Sequence, residues 1–323
     1  MNAKTLYWLV KREFWEHRGG FIWTPVITGI VFLVLNLMGI VGGEVFGFRH
    51  GFHFGPLESQ DLVAKIHSLD ARELQQVSTY LDLAMLFPSC LIAIVFAFVV
   101  FFYCLGALYD DRRDRSFLFW KSLPISDTAT VLSKVIAAVL IAPIAVVVCG
   151  MLTGIIMLLI FAIALSFHGV SVWSLLVLAH PLHVVGFLVG CIPLYLLWAL
   201  PTVGWLMLCS SWAKSKPFLW AVVIPVALGV IISWFNLFGS VGFESTWYWH
   251  EIAARVLFSA VPGDWLPAHS LEHLGDNPEN FNRFFDLSSS YAVLTSVEIW
   301  AGVAAGIAML VGAVWFRRWR DDS

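Results

Sequence analysis

The sequence predicts an all-α membrane protein. Its plan is six transmembrane helices with both termini inside, an N-terminal interfacial helix and two helical outer segments. Three observations lead there. Of 323 residues, 59% are hydrophobic and only 13% charged, against about 25% charged in an ordinary soluble domain. Six apolar runs, almost free of charge, are long enough for a helix to cross ~30 Å of hydrocarbon at ~1.5 Å per residue. Lysine and arginine are unevenly shared between the segments that join those runs. Mean hydropathy is +0.82.

Residues 1–20 form the expected interfacial helix. Leu6, Val10 and Phe14 fall on one helical face, Trp8 and Trp15 flank it, and Lys11, Arg12 and Arg18 give a positive polar side. That pattern suits a helix lying in the membrane interface. The first apolar run, Phe21–Gly43, is too long for a signal peptide and no small-x-small cleavage site follows it. The others are Leu83–Leu108, Val135–Phe167, Ser174–Cys209, Phe218–Gly239 and Tyr291–Phe316. Together they make a six-span domain over residues 21–316. The third and fourth are long enough to tilt or extend past the bilayer. Pro181, Pro193 and Pro201 predict kinks or breaks in the fourth.

Orientation follows from the cations. If the termini are cytoplasmic, four Lys/Arg lie in residues 1–20, five in loop 109–134, two in loop 210–217 and three in the tail 317–323, fourteen of the 19. The outer segments, 44–82 and 240–290, keep Arg49, Lys65, Arg72, Arg255 and Arg283, with 13 of the 22 acidic residues. Positive residues are retained inside, so the chain reads as N-in/C-in. In the first outer segment, Asp70 and Glu73 form a capping box that starts a helix running into the second span, with Leu74, Val77 and Leu81 as its apolar face. In the second, Trp247, Tyr248 and Trp249 followed by Ile252, Val256 and Leu257 predict an amphipathic helix on or dipping into the membrane. Aromatic residues at that level mark the interface. Val261-Pro-Gly-Asp264 and Asn277-Pro278 break the segment into short pieces.

Much chemistry is missing from the chain. It has no GxxxxGK[ST] phosphate loop, no glycine-rich dinucleotide fingerprint, no GxSxG elbow and no HExxH. Cys90, Cys104, Cys149, Cys191 and Cys209 all lie in or at the ends of apolar runs without CxxC spacing, and read as small apolar residues. His50, His53, His67, His168, His250, His269 and His273 are outer, with His180 and His183 near the outer end of the fourth span. The HGFH and HPLH stretches lack a Cys or carboxylate at ligand spacing, so polar residues at a membrane edge outweigh a metal site. Ion-coupled carriers place charges deep in their spans. Here Glu298, about two turns into the last run, is the one acid so placed, and it either lines a substrate path or reaches for the interface. Asn36 is a neutral polar residue in the first run.

The charge that is scarce elsewhere is concentrated in one stretch. Asp110 to Lys134 reads DDRRDRSFLFWKSLPISDTATVLSK, with six charges in its first seven residues. Leu123 is held extended by Pro124. Ser126 or Asp127 can then cap a short helix, Thr128 to Lys134. A solvated anchor loop does not account for Phe117, Phe119 and Trp120 sitting together. This stretch resembles the first cytoplasmic loop of ABC-2 type transporter permeases, with its acidic-basic run, small residue Ser116, "LPIS" at 123–126 and lysine at the start of the third span. One departure is Arg115, where a Gly is expected. SWAKSKPFLW at 211–220 is similar to the family's loop before the fifth span, and the six-span layout agrees, so the resemblance covers nearly the whole chain.

The resemblance implies the membrane half of an ABC exporter, in a bacterial inner membrane. Its expected partners are separate ATPase subunits, which would carry ATP and Mg, and a second identical or related permease in the bilayer. It implies no enzyme activity, no cofactor and no metal on this chain, and no nucleic acid. Arg112, Arg113, Asp114, Phe119, Trp120, Leu123, Pro124, Ser126, Asp127 and Lys134 are the expected ATPase-coupling loop. Glu298 and Asn36 are the expected substrate-path residues, and the cargo an amphipathic lipid-like, peptide or antibiotic molecule. An ion-coupled secondary transporter or channel is the alternative, followed by a membrane enzyme using the outer histidines.

Overall fold

Leu6, Leu9, Val10, Glu13 and Phe14 recur at three- and four-residue spacing, and they form the packed face of the first helix, α1 (Ala3–Glu16). Tyr7, Trp8 and Trp15 stay exposed on its other side. The structure, a computed structural model, describes residues 3–50, 70–113, 125–167, 178–237, 245–263, 265 and 287–319. Among these residues it is helical without strands, and six of its helices are long and apolar enough to cross a membrane.

After α1 a π turn, Gly19–Trp23, leads into α2 (Thr24–His50). Next come α3 (Ala71–Arg113), α4 (Asp127–Ile136), a second π turn (Ala137–Ile141) and α5 (Ala142–Ser166). Then follow α6 (Pro181–Trp198), α7 (Leu200–Trp212) and α8 (Pro217–Leu237). A limb of three short turns comes next, α9 (Ser245–Trp247), a π turn (Tyr248–Ala254) and α10 (Arg255–Phe258). The last elements are α11 (Leu287–Tyr291), a 3-10 turn (Ala292–Thr295) and α12 (Val297–Trp319).

Several expectations are met in place. The backbone N–H of Asp70 donates to Glu73 Oε2 at 3.0 Å, as the capping box requires, and α3 runs unbroken from there through the whole second apolar run. The long fourth run breaks at Ala199, just before Pro201, into α6 and α7, and Pro193 is carried inside α6. Others are corrected. The helix after Ser126 is not a separate short piece: it begins at Asp127 and continues through the π turn into α5, as one line of 40 residues. The last span starts at Val297, because Ser296 is extended, so Glu298 lies in its first turn and not two turns inside.

Glycines allow the closest helix contacts. α7 packs along α12 where Gly204 meets Gly306; a Cβ on Gly204 would stand 2.6 Å from the Gly306 carbonyl oxygen. α3 packs along α5 in the same way, with a Cβ on Gly154 falling 2.7 Å from the Met85 carbonyl oxygen. Between apolar helices without a solvent-driven attraction, such close approach supplies the association energy through dispersion. The buried core threads through α3, α4, α5, α6, α7 and α12, from Ile92, Phe96 and Val100 to Leu206, Ile299 and Ala313.

The limb 245–263 leans against α7 and α8. Its Tyr248 hydroxyl donates to the Pro225 carbonyl at 2.8 Å. Pro225 lies twelve residues before the end of α8, so the limb reaches roughly 18 Å down that helix at ~1.5 Å per residue.

Candidate functional site

One end of the bundle gathers most of the described charge. α1, the last turn of α3, the start of α4, the end of α7 and the end of α12 meet there. At its centre is an acid that sequence reasoning did not single out. Glu13 is 0% exposed, and Lys134 of α4 is 2% exposed. The Lys134 ammonium lies 3.2 Å from Glu13 Oε1 and 3.4 Å from Asp111 Oδ1. Tyr103 Oη donates to Glu13 Oε2 at 3.1 Å, and Arg12 Nη2 lies 2.8 Å from Oε1. From Asp111 the chain of charge continues outward: Arg317 Nη1 is 3.2 Å from Asp111 Oδ2, and Arg317 Nε is 3.2 Å from Asp127 Oδ1.

Each group is delivered by its helix. Glu13 sits three and four residues after Val10 and Leu9, so it falls in the inward stripe of α1. Asp111 stands in the last turn of α3, where the helix dipole disfavours an acid; two cations compensate it. Asp127 stands in the first turn of α4, where the dipole favours one. Ser126, not Asp127, is the cap of α4, its hydroxyl accepting from the Ala129 N–H at 3.2 Å. Burial by itself raises the Glu13 carboxyl, but the Lys134 ammonium, together with Arg12, more than reverses that, and Glu13 is held below the ordinary carboxylate value. Glu13 and Lys134 are therefore a buried ion pair with further hydrogen bonds. Such a pair is costly to form and very costly to break one-sidedly.

A second clamp lies beside it. The Arg112 guanidinium donates to the carbonyls of Ser210 and Ala213, covering the open C-terminal end of α7, and Arg112 Nε reaches the Leu108 carbonyl at 3.3 Å. Ser210 Oγ returns the contact by accepting from the Leu108 and Tyr109 N–H groups at 3.0 Å each. The loop 213–216 that leaves α7 turns at Lys216, whose φ is +46°.

The expected coupling residues therefore divide. Lys134 is buried and Arg112 half-buried, and both hold helices together. Asp127 is tied to Arg317, and of the two expected caps Ser126 is the one used. Arg113, Ser126 and Thr128 are exposed at this end. Asp114, Phe119, Trp120, Leu123 and Pro124 lie outside the described residues. Of the expected substrate-path residues, Asn36 donates to the Phe32 carbonyl of its own helix at 2.9 Å, and Glu298 has an exposed side chain while its carbonyl accepts from Arg255 Nη1 at 3.0 Å. The structure does not bring the two together.

At the far end of α3, Ser78 and Asp82 meet His180, the residue before α6. Ser78 Oγ lies 3.0 Å from His180 Nδ1, and Asp82 Oδ2 lies 3.5 Å from that same nitrogen. A hydrolytic relay needs the serine and the carboxylate on opposite ring nitrogens, so this group is not one. Asp82 instead accepts from the His180 backbone N–H at 2.8 Å and pins the start of α6 to α3. Among the described residues no three His, Cys, Asp or Glu side chains cluster to hold a metal ion.

The sequence signal for the charged end was present in part. A glutamate inside the Leu6–Phe14 stripe and a lysine at the edge of an apolar run are each a buried charge awaiting a partner. Their pairing, 121 residues apart in the chain, has no local signature. Comparison of the chain with protein-family models, with curated proteins and with solved structures gives no match in any of the three.

Proposed function

We propose that this chain is the transmembrane permease subunit of an ATP-driven exporter of the ABC-2 type, with N-in/C-in topology and α1 at the cytoplasmic interface of a bacterial inner membrane. In this reading separate ATPase subunits supply hydrolysis, and a second permease copy or relative completes the transporter. The cargo class is amphipathic.

One observation carries the reading: the loop with the permease-like sequence springs from the cross-linked end of the bundle. Residues 114–124 leave α3 beside Asp111 and Arg112 and rejoin at Ser126 and Asp127. Those flanks are fastened to α1 through Glu13 and Lys134, to α7 through Arg112, and to α12 through Arg317. A push on the loop is then delivered through α3 and α4 to three further helices at once, as transmission from a soluble motor requires. Inward-facing Lys134 and Arg112 become the stiffening behind the contact. Exposed Arg113, Ser126 and Thr128, with the aromatic loop residues, become the contact itself.

The test is co-purification with ATPase subunits expressed alongside the chain, combined with hydrolysis by the complex. Charge reversal of Arg113 should weaken capture more at low salt than at high salt, since an exposed charge is screened. The chain alone should not hydrolyse ATP. Capture unaffected by Arg113→Glu, or hydrolysis by the pure chain, would remove this reading. The orientation is checked separately in intact cells: cysteines placed at Ser59 and Ser288 should react with an impermeant thiol reagent and one at Ser215 should not.

A further inference from the structure

α1 leaves a gap where it passes the π turn that joins α4 to α5. The cleft there measures about 350 Å³ and is lined by Tyr7, Val10, Lys11, Phe14 and Trp15 of α1 and by Ile141 of the turn. Its floor is apolar, made by half-buried Val10, Phe14 and Ile141. Its rim is not. Tyr7, Lys11 and Trp15 recur at four-residue spacing and stand exposed along one ridge of α1. Arg18, three residues beyond Trp15, is exposed as well. Arg12 is matched by Glu13 and Glu16, but neither Lys11 nor Arg18 has an ion pair among the described residues. Lys11 lies over the Trp8 ring at 4.9 Å. Beside Ile141 an exposed apolar strip begins: Leu140, Ile144, Val148 and Leu152 recur every four residues along the helix line. They span about 18 Å at ~1.5 Å per residue, close to one leaflet of a ~30 Å hydrocarbon core.

We infer that this cleft seats one anionic phospholipid of the bilayer, with its phosphate against Lys11 and Arg18 and one acyl chain through the cleft and along the strip. An apolar floor rimmed by cations asks for a molecule with a tail and a negative head. A zwitterionic lipid fills the floor but brings no net charge to the cations. Basic pockets beside membrane helices take anionic headgroups in this way. Tyr7 and Trp15 carry the amphipathic rings that sit at headgroup level. The strip gives the tail a track of the right length, and it starts at a π turn, a form frequent at functional sites. The inference rests on the membrane reading of the chain and not on the ATPase partnership.

The experiment uses the full chain in a neutral detergent with an equimolar mixture of phosphatidylglycerol and phosphatidylcholine that share the same acyl chains. Native mass spectrometry weighs the lipid each protein retains. The first lipid retained should be phosphatidylglycerol, preferred about fivefold for each of the two cations. Lys11→Gln should cut that preference about fivefold, and Lys11→Gln with Arg18→Gln should bring it to parity. Val10→Trp fills the cleft and should remove preferential retention; Ile141→Trp does so from the opposite wall if the first variant misfolds. Lys214→Gln, which removes an exposed cation in the loop after α7, should change nothing. Equal retention of the two lipids by the parent protein would overturn the anionic requirement. A preference that survives the double cation change or the cleft-filling variants would place the lipid elsewhere and overturn the site. An equal loss with Lys214→Gln would show attraction to overall charge only, and a dimer mass in place of lipid would make a second copy the occupant. Either overturns it too.

Discussion

Two helical segments too short to cross a membrane are docked on this bundle, and they are held by opposite means. α1 is fastened by full charges: Glu13 against Lys134, with Asp111, Arg12 and Tyr103 around them. The limb 245–263 is fastened mainly by neutral donors on backbone carbonyls. Tyr248 Oη donates to the Pro225 carbonyl, and Thr202 Oγ1 donates to the Arg255 carbonyl at 2.8 Å. The one cation in the limb, Arg255, lies over the Trp198 ring at 4.1 Å and donates to the Glu298 carbonyl. Neutral bonds are insensitive to pH and salt. The buried pair is not, and it links the start of the chain to the third, second and sixth long helices. α1 is therefore built as a part whose docking can be changed by charge, while the limb is built to stay.

The comparison is broken most severely at Glu13. Glu13→Ala leaves Lys134 buried without its main counter-charge, a loss on the order of 3–5 kcal/mol. Thermal unfolding in detergent should drop sharply, and protease should cut α1 early. Replacing both partners, Glu13→Leu with Lys134→Met, should recover much of the loss, because two apolar groups do not need each other's charge. If the double variant is as unstable as Glu13→Ala, packing around the pair and not its charge holds α1.

Acid acts on the same pair more gently. Glu13 is depressed below its ordinary value of 4.5. A depressed acid contributes stability that is full above that ordinary value and is lost as pH falls through the lower folded value. The docking of α1 should therefore be constant from pH 8 to 5 and loosen below 4.5, while the limb holds. Limited proteolysis across that range, with separate probes at α1 and at residues 245–258, reads both. Simultaneous release of the two would show that acid unfolds the bundle as a whole.

Much of this architecture is legible in the sequence, and the illegible remainder has a physical cause. Apolar runs, prolines and the Asp70–Glu73 cap are local signals, and five of the six long helices lie close to where composition puts them. The last starts later than its apolar run, because Ala292–Thr295 is apolar but closes as a 3-10 turn. At the charged end, the sequence offers Arg112, Asp127 and Lys134 as contacts for a partner; in the fold two of them bind other helices of the bundle and the third is tied to Arg317. A charge in a loop and a charge aimed at a helix end read alike in one dimension. Glu13, Asp111 and Arg317 carry no such local signal, because their meaning lies in one another, at separations no window spans.

On the limb's side, the telling residue is Trp205. Pro225 has no N–H, so the Ala221 carbonyl four residues earlier in α8 loses its helical partner. Trp205 Nε1 donates to that carbonyl at 2.9 Å. Trp205→Phe keeps the ring and orphans the carbonyl, costing about 1–3 kcal/mol. Pro225→Ala in the same background should restore the helix's own bond and return most of it. Thermal unfolding of the single and double variants measures the coupling; strict additivity would mean the indole does not stand in for the missing N–H.

The smallest effect is expected at Glu298, the acid that the sequence places deepest in a span. It lies in the first turn of α12 with its side chain exposed, and only its carbonyl is engaged, by Arg255. What its carboxylate can give is a favourable interaction with the helix N-terminus, about 0.3–1 kcal/mol. Glu298→Gln should lower stability by no more than that. Because the Arg255 contact is to backbone, the substitution should not loosen the limb either. A loss of several kcal/mol, or release of residues 245–258 to protease, would mean that the Glu298 carboxylate is a working partner of the limb. The division between a charged fastening and a neutral one would then fail at that point.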